Sequence, residues 1–295
     1  MNQPEQQAPW PPQPPRIPTV RAGALVITGS VLVGGLLAMG ALGWIGRGGA
    51  FSPTGQGQTN PSAAGGPGVP LPPAKPAWVS PLQPSCSVQD LSQRQRLQNL
   101  LVALRTAPKR VRVDPTNYGE RFRRDAFGFA VDPTPRLVVL HETVYGLSSA
   151  INTFTTAHPN DEDQVSYHAL IGEDGTVVQL IDPSKRAFGA GNSAFNGQWV
   201  VTNPKVGGSV NNFALHVSLE TPLDGENDNV GHSGYSSAQY DSLATLLADW
   251  MSRYPITLET ITTHRAIDLG GERADPRSFN WQALQERLQN LGLLC

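Results

Sequence analysis

The chain has 295 residues, of which 16% are charged, and a formal net charge of -2. That length allows one or two domains, and the near-neutral balance excludes a global basic field of the kind that recruits nucleic acid. Of the 30 glycines and 26 prolines, 14 and 16 fall in the first 85 residues, which marks that portion as non-globular.

Met1 to Arg21 is rich in Pro and Gln and reads as a disordered leader. Ala22 to Gly46 follows, 25 residues without a charge. As a helix it would be roughly 37 Å long, enough to cross a hydrocarbon core of about 30 Å. Arg16 and Arg21 precede it and only Arg47 follows closely, so the positive-inside rule places the leader in the cytoplasm and the rest of the chain outside. A cleaved signal peptide would have an apolar core of about 7–15 residues. This run is longer, which favours an uncleaved single-pass membrane anchor. Residues 47–85 are Gly/Pro/Ser-rich and read as a linker.

Two cysteines, Cys86 and Cys295, bracket everything that follows. They would staple both ends of one domain in an oxidising compartment, or stand as two free thiols. Leu91, Leu97, Leu100, Leu101 and Leu104 have helical spacing, and Pro108 stops that helix. Arg136 to His141 is a buried strand, and Ser148 to His158 a helix. Tyr167 to Ile171 and Thr176 to Ile181 form a hairpin around Glu173-Asp174-Gly175. Asn212 to Glu220 is another strand, Ser236 to Arg253 an amphipathic helix, and Trp281 to Leu291 a closing helix. Strands mixed with helices give an α/β or α+β domain of about 200 residues.

His141 ends an apolar strand, and Asp275 lies eleven residues beyond His264. Two imidazoles and a carboxylate, with a fourth position left to water, form an open catalytic zinc shell. The spacing alone is weak, because six histidines supply such trios by chance.

The surrounding blocks are more specific: VVLHET, VSYHALIGEDGTVVQLI, KRAFGAGNS, NNFALHVSLETP, SSAQYDSLATLL and THRAIDLGGERADPRSFNW, in that order. From Leu137 onward, over about half of the chain, this pattern resembles the zinc-dependent N-acetylmuramoyl-L-alanine amidase family. The resemblance implies an α/β fold with a central mixed sheet flanked by helices, filling residues 86–295. It also implies one Zn²⁺ held by His141, His264 and Asp275, and hydrolysis of the lactyl–L-alanine amide of peptidoglycan. The anchor reading places that domain in the periplasm or cell-wall space. Arg273 matches a position that stabilises negative charge, and Tyr167 one that donates a hydrogen bond at the reacting centre. His168 and Asn192 are candidate substrate contacts.

Three positions depart from the family pattern. Ser218 stands where many members carry a catalytic glutamate, His216 stands at the glycine of the same block, and Gly189 replaces a histidine. Glu220, two residues on and on the same strand face as Ser218, is the expected general base. A peptidoglycan-binding module without catalysis and a zinc endopeptidase acting within the stem peptide are the alternatives.

Overall fold

The computed structural model describes residues 68–295. The expected leader, the 22–46 anchor and the first part of the linker lie outside the described residues. Among the described residues, no helix is long and apolar enough to cross a membrane.

Asp90 caps the first helix, α1 (Leu91–Thr106), by accepting a hydrogen bond from the Gln93 amide. The short strands β1 (Lys109–Arg110) and β2 (Tyr118–Glu120) precede the apolar β3 (Leu137–Glu142). After α2 (Leu147–Thr155) come β4 (Ala169–Ile171), β5 (Val177–Gln179), β6 (Lys185–Ala187), β7 (Val200–Asn203), β8 (Gly207–Ser209) and β9 (Ala214–Leu219). A capping box between Ser236 and Gln239 opens α3 (Ser237–Met251). Strand β10 (Ile261–Thr263) runs directly into the one-turn helix α4 (His264–Ile267), and α5 (Trp281–Asn290) closes the chain.

Six strands form one mixed sheet in the order β1-β5-β4-β9-β3-β10. Only the β4–β5 hairpin is antiparallel, and Gly175 at its turn has φ +82°, a conformation open to glycine at no steric cost. Side chains alternate across the sheet. Val138, Leu140, Leu215, Val217 and Leu219 pack against Tyr240, Leu243, Leu247 and Trp250 of α3 and Leu284 and Leu288 of α5. The opposite rows are Leu137, Val139 and His141 on β3 and Ala214, His216 and Ser218 on β9. That second face is apolar at one end and polar at the end where the site forms. The expected α/β architecture is the one observed.

The last part of the expected linker is not a free spacer. The Trp199 indole N–H donates to the Pro70 carbonyl (2.9 Å), Lys75 Nζ to the Asp268 carbonyl (2.6 Å), and the Trp78 amide to Asn196 Oδ1 (2.8 Å). Leu82 is buried in the core under α3 and α5. A proline-rich strand makes few backbone bonds of its own, so its few large apolar side chains decide where it lies. Cys86 and Cys295 are disulfide-bonded, with Cα atoms 4.7 Å apart across 209 residues of sequence. Closing so long a loop contributes about 2–4 kcal/mol.

Glu220 follows β9, and both of its carboxylate oxygens are engaged. Oε1 accepts from the Leu147 amide (2.5 Å) and Oε2 from the Glu173 amide (2.8 Å). Gly146, the N-cap of α2, offers no side-chain cap. A carboxylate arriving from β9 therefore meets the free N–H groups and the positive end of that helix. This corrects the expectation of Glu220 as general base: its oxygens tie α2 and the β4–β5 turn to the sheet. Replacing Glu220 by Ala is expected to cost about 1–3 kcal/mol of unfolding free energy while zinc affinity stays unchanged. Urea unfolding and a zinc titration check both.

Candidate metal centre

The central strand β3 carries His141 at its C-terminal end. Strand β10 is its parallel neighbour, with Thr263 opposite Leu140, so the next residue, His264, arrives beside His141. Thr263 caps α4 by accepting from the Ala266 amide, and this turn aims the His264 ring along the strand end. Asp275 returns to the same point because its carbonyl accepts from the Arg265 amide (3.0 Å).

His141 Nδ1 lies 3.1 Å from Asp275 Oδ2, and His264 Nδ1 lies 3.0 Å from Asp275 Oδ1. One ligand atom from each of the three lies within 4.8 Å of the others, and among the described residues no other His/Cys/Asp/Glu trio converges in this way. His141 is fully buried and His264 nearly so, whereas the Asp275 side chain keeps 17% exposure. Asp275 is thus the most solvent-exposed member of the trio. Two imidazole nitrogens and a carboxylate oxygen suit zinc. The far nitrogen of His141, Nε2, is held 3.0 Å from His216 Nδ1, the outer-shell support typical of a metal-binding imidazole.

Tyr167 stacks on His141 with ring centroids 4.4 Å apart. Burial raises its phenol well above the ordinary value and Asp275 adds to the shift, so the hydroxyl remains a donor at neutral pH. Arg273 is exposed on the loop before Asp275, close enough for its charge to act on both Tyr167 and His141. Asn192 is exposed, and its backbone carbonyl accepts from Leu269 (3.1 Å), anchoring the loop between the second and third expected ligands.

His168 is not positioned as a substrate contact. It is buried, its Nδ1 accepts from the His216 amide (3.0 Å), and its Nε2 sits 3.3 Å from Arg121 Nη2. The strand alternation that brings Tyr167 to the metal centre turns its neighbour inward.

Two supports were not anticipated. Glu142, directly after His141, accepts from Tyr235 Oη (2.5 Å) and the Arg277 amide (2.9 Å), and pairs with the Arg277 guanidinium and His232. Arg277 also donates to the carbonyls of Gly225, Asn227 and Asn229, pinning the 222–236 loop beside the site. The second is His216. The signal for it was present in the pair of departures at positions 189 and 216.

Residues 131–278, half of the chain, match the family described as N-acetylmuramoyl-L-alanine amidase. The chain belongs to this family. The matched span contains His141, His264 and Asp275, so the trio lies inside the part of the chain that carries the amidase pattern. Over 120 residues the chain is 32% identical to 1,6-anhydro-N-acetylmuramyl-L-alanine amidase AmpD of Citrobacter freundii, covering 40% of this chain and 54% of that one. AmpD of Escherichia coli is 29% identical over 166 residues, covering 51% and 80%. The chain therefore spans about half the length of the Citrobacter relative. A crystal structure of selenomethionine AmpD aligns with 61% of this chain and 93% of its own at 28% identity, with a TM-score of 0.46.

Burial drives His141, His168 and His216 toward the neutral form. His141 is lowered to about 4, by burial first and the His264 charge second, against the opposing hydrogen bond of Asp275. His168 is lowered to about 3 by burial and the Arg121 charge, and His216 falls well below its ordinary value for the first of these reasons. An unfolded chain protonates these rings near pH 6.5, and the native one does so only far lower. Over that window the unfolded state binds more protons, and stability falls as pH drops. The metal-free chain is therefore expected to lose about 1.4 kcal/mol per pH unit for each such histidine on acidification from pH 6.5 to 5. Urea midpoints measured in chelator check this, and a flat profile would contradict it.

Proposed function

We propose that this chain hydrolyses the amide bond between N-acetylmuramic acid and L-alanine in peptidoglycan, using one zinc ion at His141, His264 and Asp275. The observation that carries this reading is the convergence of those three side chains at the polar end of the sheet face. The names of the AmpD relatives, amidases of 1,6-anhydro-N-acetylmuramyl-L-alanine, support the muramyl–L-alanine linkage as the bond attacked.

Zinc would supply a Lewis acid and a bound water with a pKa near 7. The chain's own groups do the rest. Asp275 and the two histidines fix the metal at the rim of the sheet. Tyr167, kept protonated, donates a hydrogen bond toward the carbonyl oxygen as negative charge develops there. Arg273 adds a positive charge that can stabilise the developing negative one. The apolar side chains of Val144 and Tyr145, exposed just beyond β3, offer a surface for the stem peptide. The uncharged 22–46 run, with Arg16 and Arg21 before it, supports a single-pass tether that holds the domain at the outer face of the cell membrane.

Binding without cleavage is the second reading, and two observations favour it. Glu220 is committed to backbone amides, and the buried Ser218 hydroxyl has no hydrogen-bond partner among the described residues. Incubating the zinc-loaded chain with purified peptidoglycan and analysing soluble products by mass separates the readings. The amidase is expected to release stem peptides with L-alanine at a new amino terminus. Polymer retained uncut would establish the binding module, and peptides cut internally an endopeptidase.

A further inference from the structure

Strand β9 sets His216 opposite Val139, one row below the pairing of Ser218 with His141. His216 and His141 thus project from adjacent strands on the same face, and both are fully buried. Their contact is a ring-to-ring hydrogen bond, His216 Nδ1 to His141 Nε2, at 3.0 Å.

The His216 ring exists in this position only because residue 189 is glycine. A Cβ at Gly189 would lie 2.4 Å from His216 Cγ and 2.5 Å from Nδ1, which no packed core accommodates. The glycine and the histidine are one feature, since either alone would leave a void or a clash. Behind the ring, His168 lies nearly parallel, with centroids 5.9 Å apart and planes 12° apart, and accepts from the His216 amide. Arg121 locks that layer by donating to the carbonyls of Asn211, Asn212 and Ala214 while lying beside His168.

The arrangement carries a cost that a purely structural residue would avoid. His216 Nε2 is buried with no hydrogen-bond partner among the described residues, a desolvation that no packed neighbour offsets. A leucine would fill the same space without it.

We propose that His216 is a positioning residue for the metal ligand His141, which rests on the zinc reading above. With His141 Nδ1 committed as a ligand, its Nε2 carries the ring proton and donates it to His216 Nδ1, and the His216 proton resides on its own Nε2. Each ring holds one proton and stays neutral. The bond fixes both the plane and the tautomer of His141, so its Nδ1 lone pair faces Asp275 and His264. A Gly189–His216 pair thereby supplies, from β9, an outer-shell partner to the metal.

The test is zinc affinity of the full chain by chelator competition at pH 7, with the visible spectrum of the cobalt-substituted protein as a second readout. His216→Leu is expected to bind zinc about 10- to 100-fold more weakly and to shift the cobalt spectrum, with its metal-free thermal midpoint maintained or raised. His216→Asn, whose amide occupies the Nδ1 position, is expected to recover most of the affinity. Gly189→Ala displaces the ring from the other side and is expected to weaken zinc similarly, which decides the matter if the Leu variant does not fold. Affinity of a folded His216→Leu, or of Gly189→Ala, within twofold of the parent would overturn the positioning role while leaving the zinc site standing. A parent chain that binds no zinc would overturn both.

Discussion

One carboxylate lies at the centre of the site. Asp275 faces the Nδ1 atoms of His141 and His264, and the three groups come from a strand end, a helix start and a loop. Burying a carboxylate costs free energy unless it is paired or hydrogen-bonded. Burial alone would raise the Asp275 carboxyl, but the hydrogen bonds and electrostatic attraction of His141 and His264 together hold it below the ordinary carboxylate range. The loop between the second and third ligands, the 190s loop that braces it and the Lys75 contact all act on this meeting point. Lys75 donates to the Asp268 carbonyl, and the Asp268 side chain accepts from the Glu272 and Arg273 amides.

The sheet separates stability from chemistry by strand parity. Residues 138 and 140 of β3 and 215, 217 and 219 of β9 pack under α3 and α5. The alternate residues of the same strands place His141 at the candidate metal centre and His216 against it. A rigid apolar face therefore fixes the backbone from which His141 and His216 project, and little motion is needed to bring the ligands together. Glu142 extends this logic beyond the strand end, because Tyr235, His232 and Arg277 converge on it and hold the 222–236 loop against the site.

Long, periodic elements were legible in the sequence. The strand ending at His141, the hairpin around Gly175, the helix from Ser237 and the closing helix all stand within a few residues of their expected bounds. Strands β1, β2, β6, β7, β8 and β10 were not anticipated, since two to four residues carry no measurable period and owe their state to tertiary pairing. The trio was legible from ordered blocks rather than from spacing. Glu220 and His168 were misplaced for a related reason. Parity says which face a residue occupies, but not that a strand end has a helix N-terminus waiting for a carboxylate, nor which of two adjacent residues turns inward where a strand begins. The docking of residues 70–85 was hidden because composition reports the absence of a core, not the presence of a surface to lie on.

The central claim is that His141, His264 and Asp275 form a zinc centre with two imidazole nitrogens and one carboxylate oxygen. X-ray absorption at the zinc edge of the zinc-loaded full chain tests it most directly. The account predicts one zinc per chain, two imidazoles with nitrogens at about 2.0–2.1 Å, and oxygen ligands completing a four-coordinate shell. A spectrum without imidazole scattering, or one showing sulfur ligation, would contradict it.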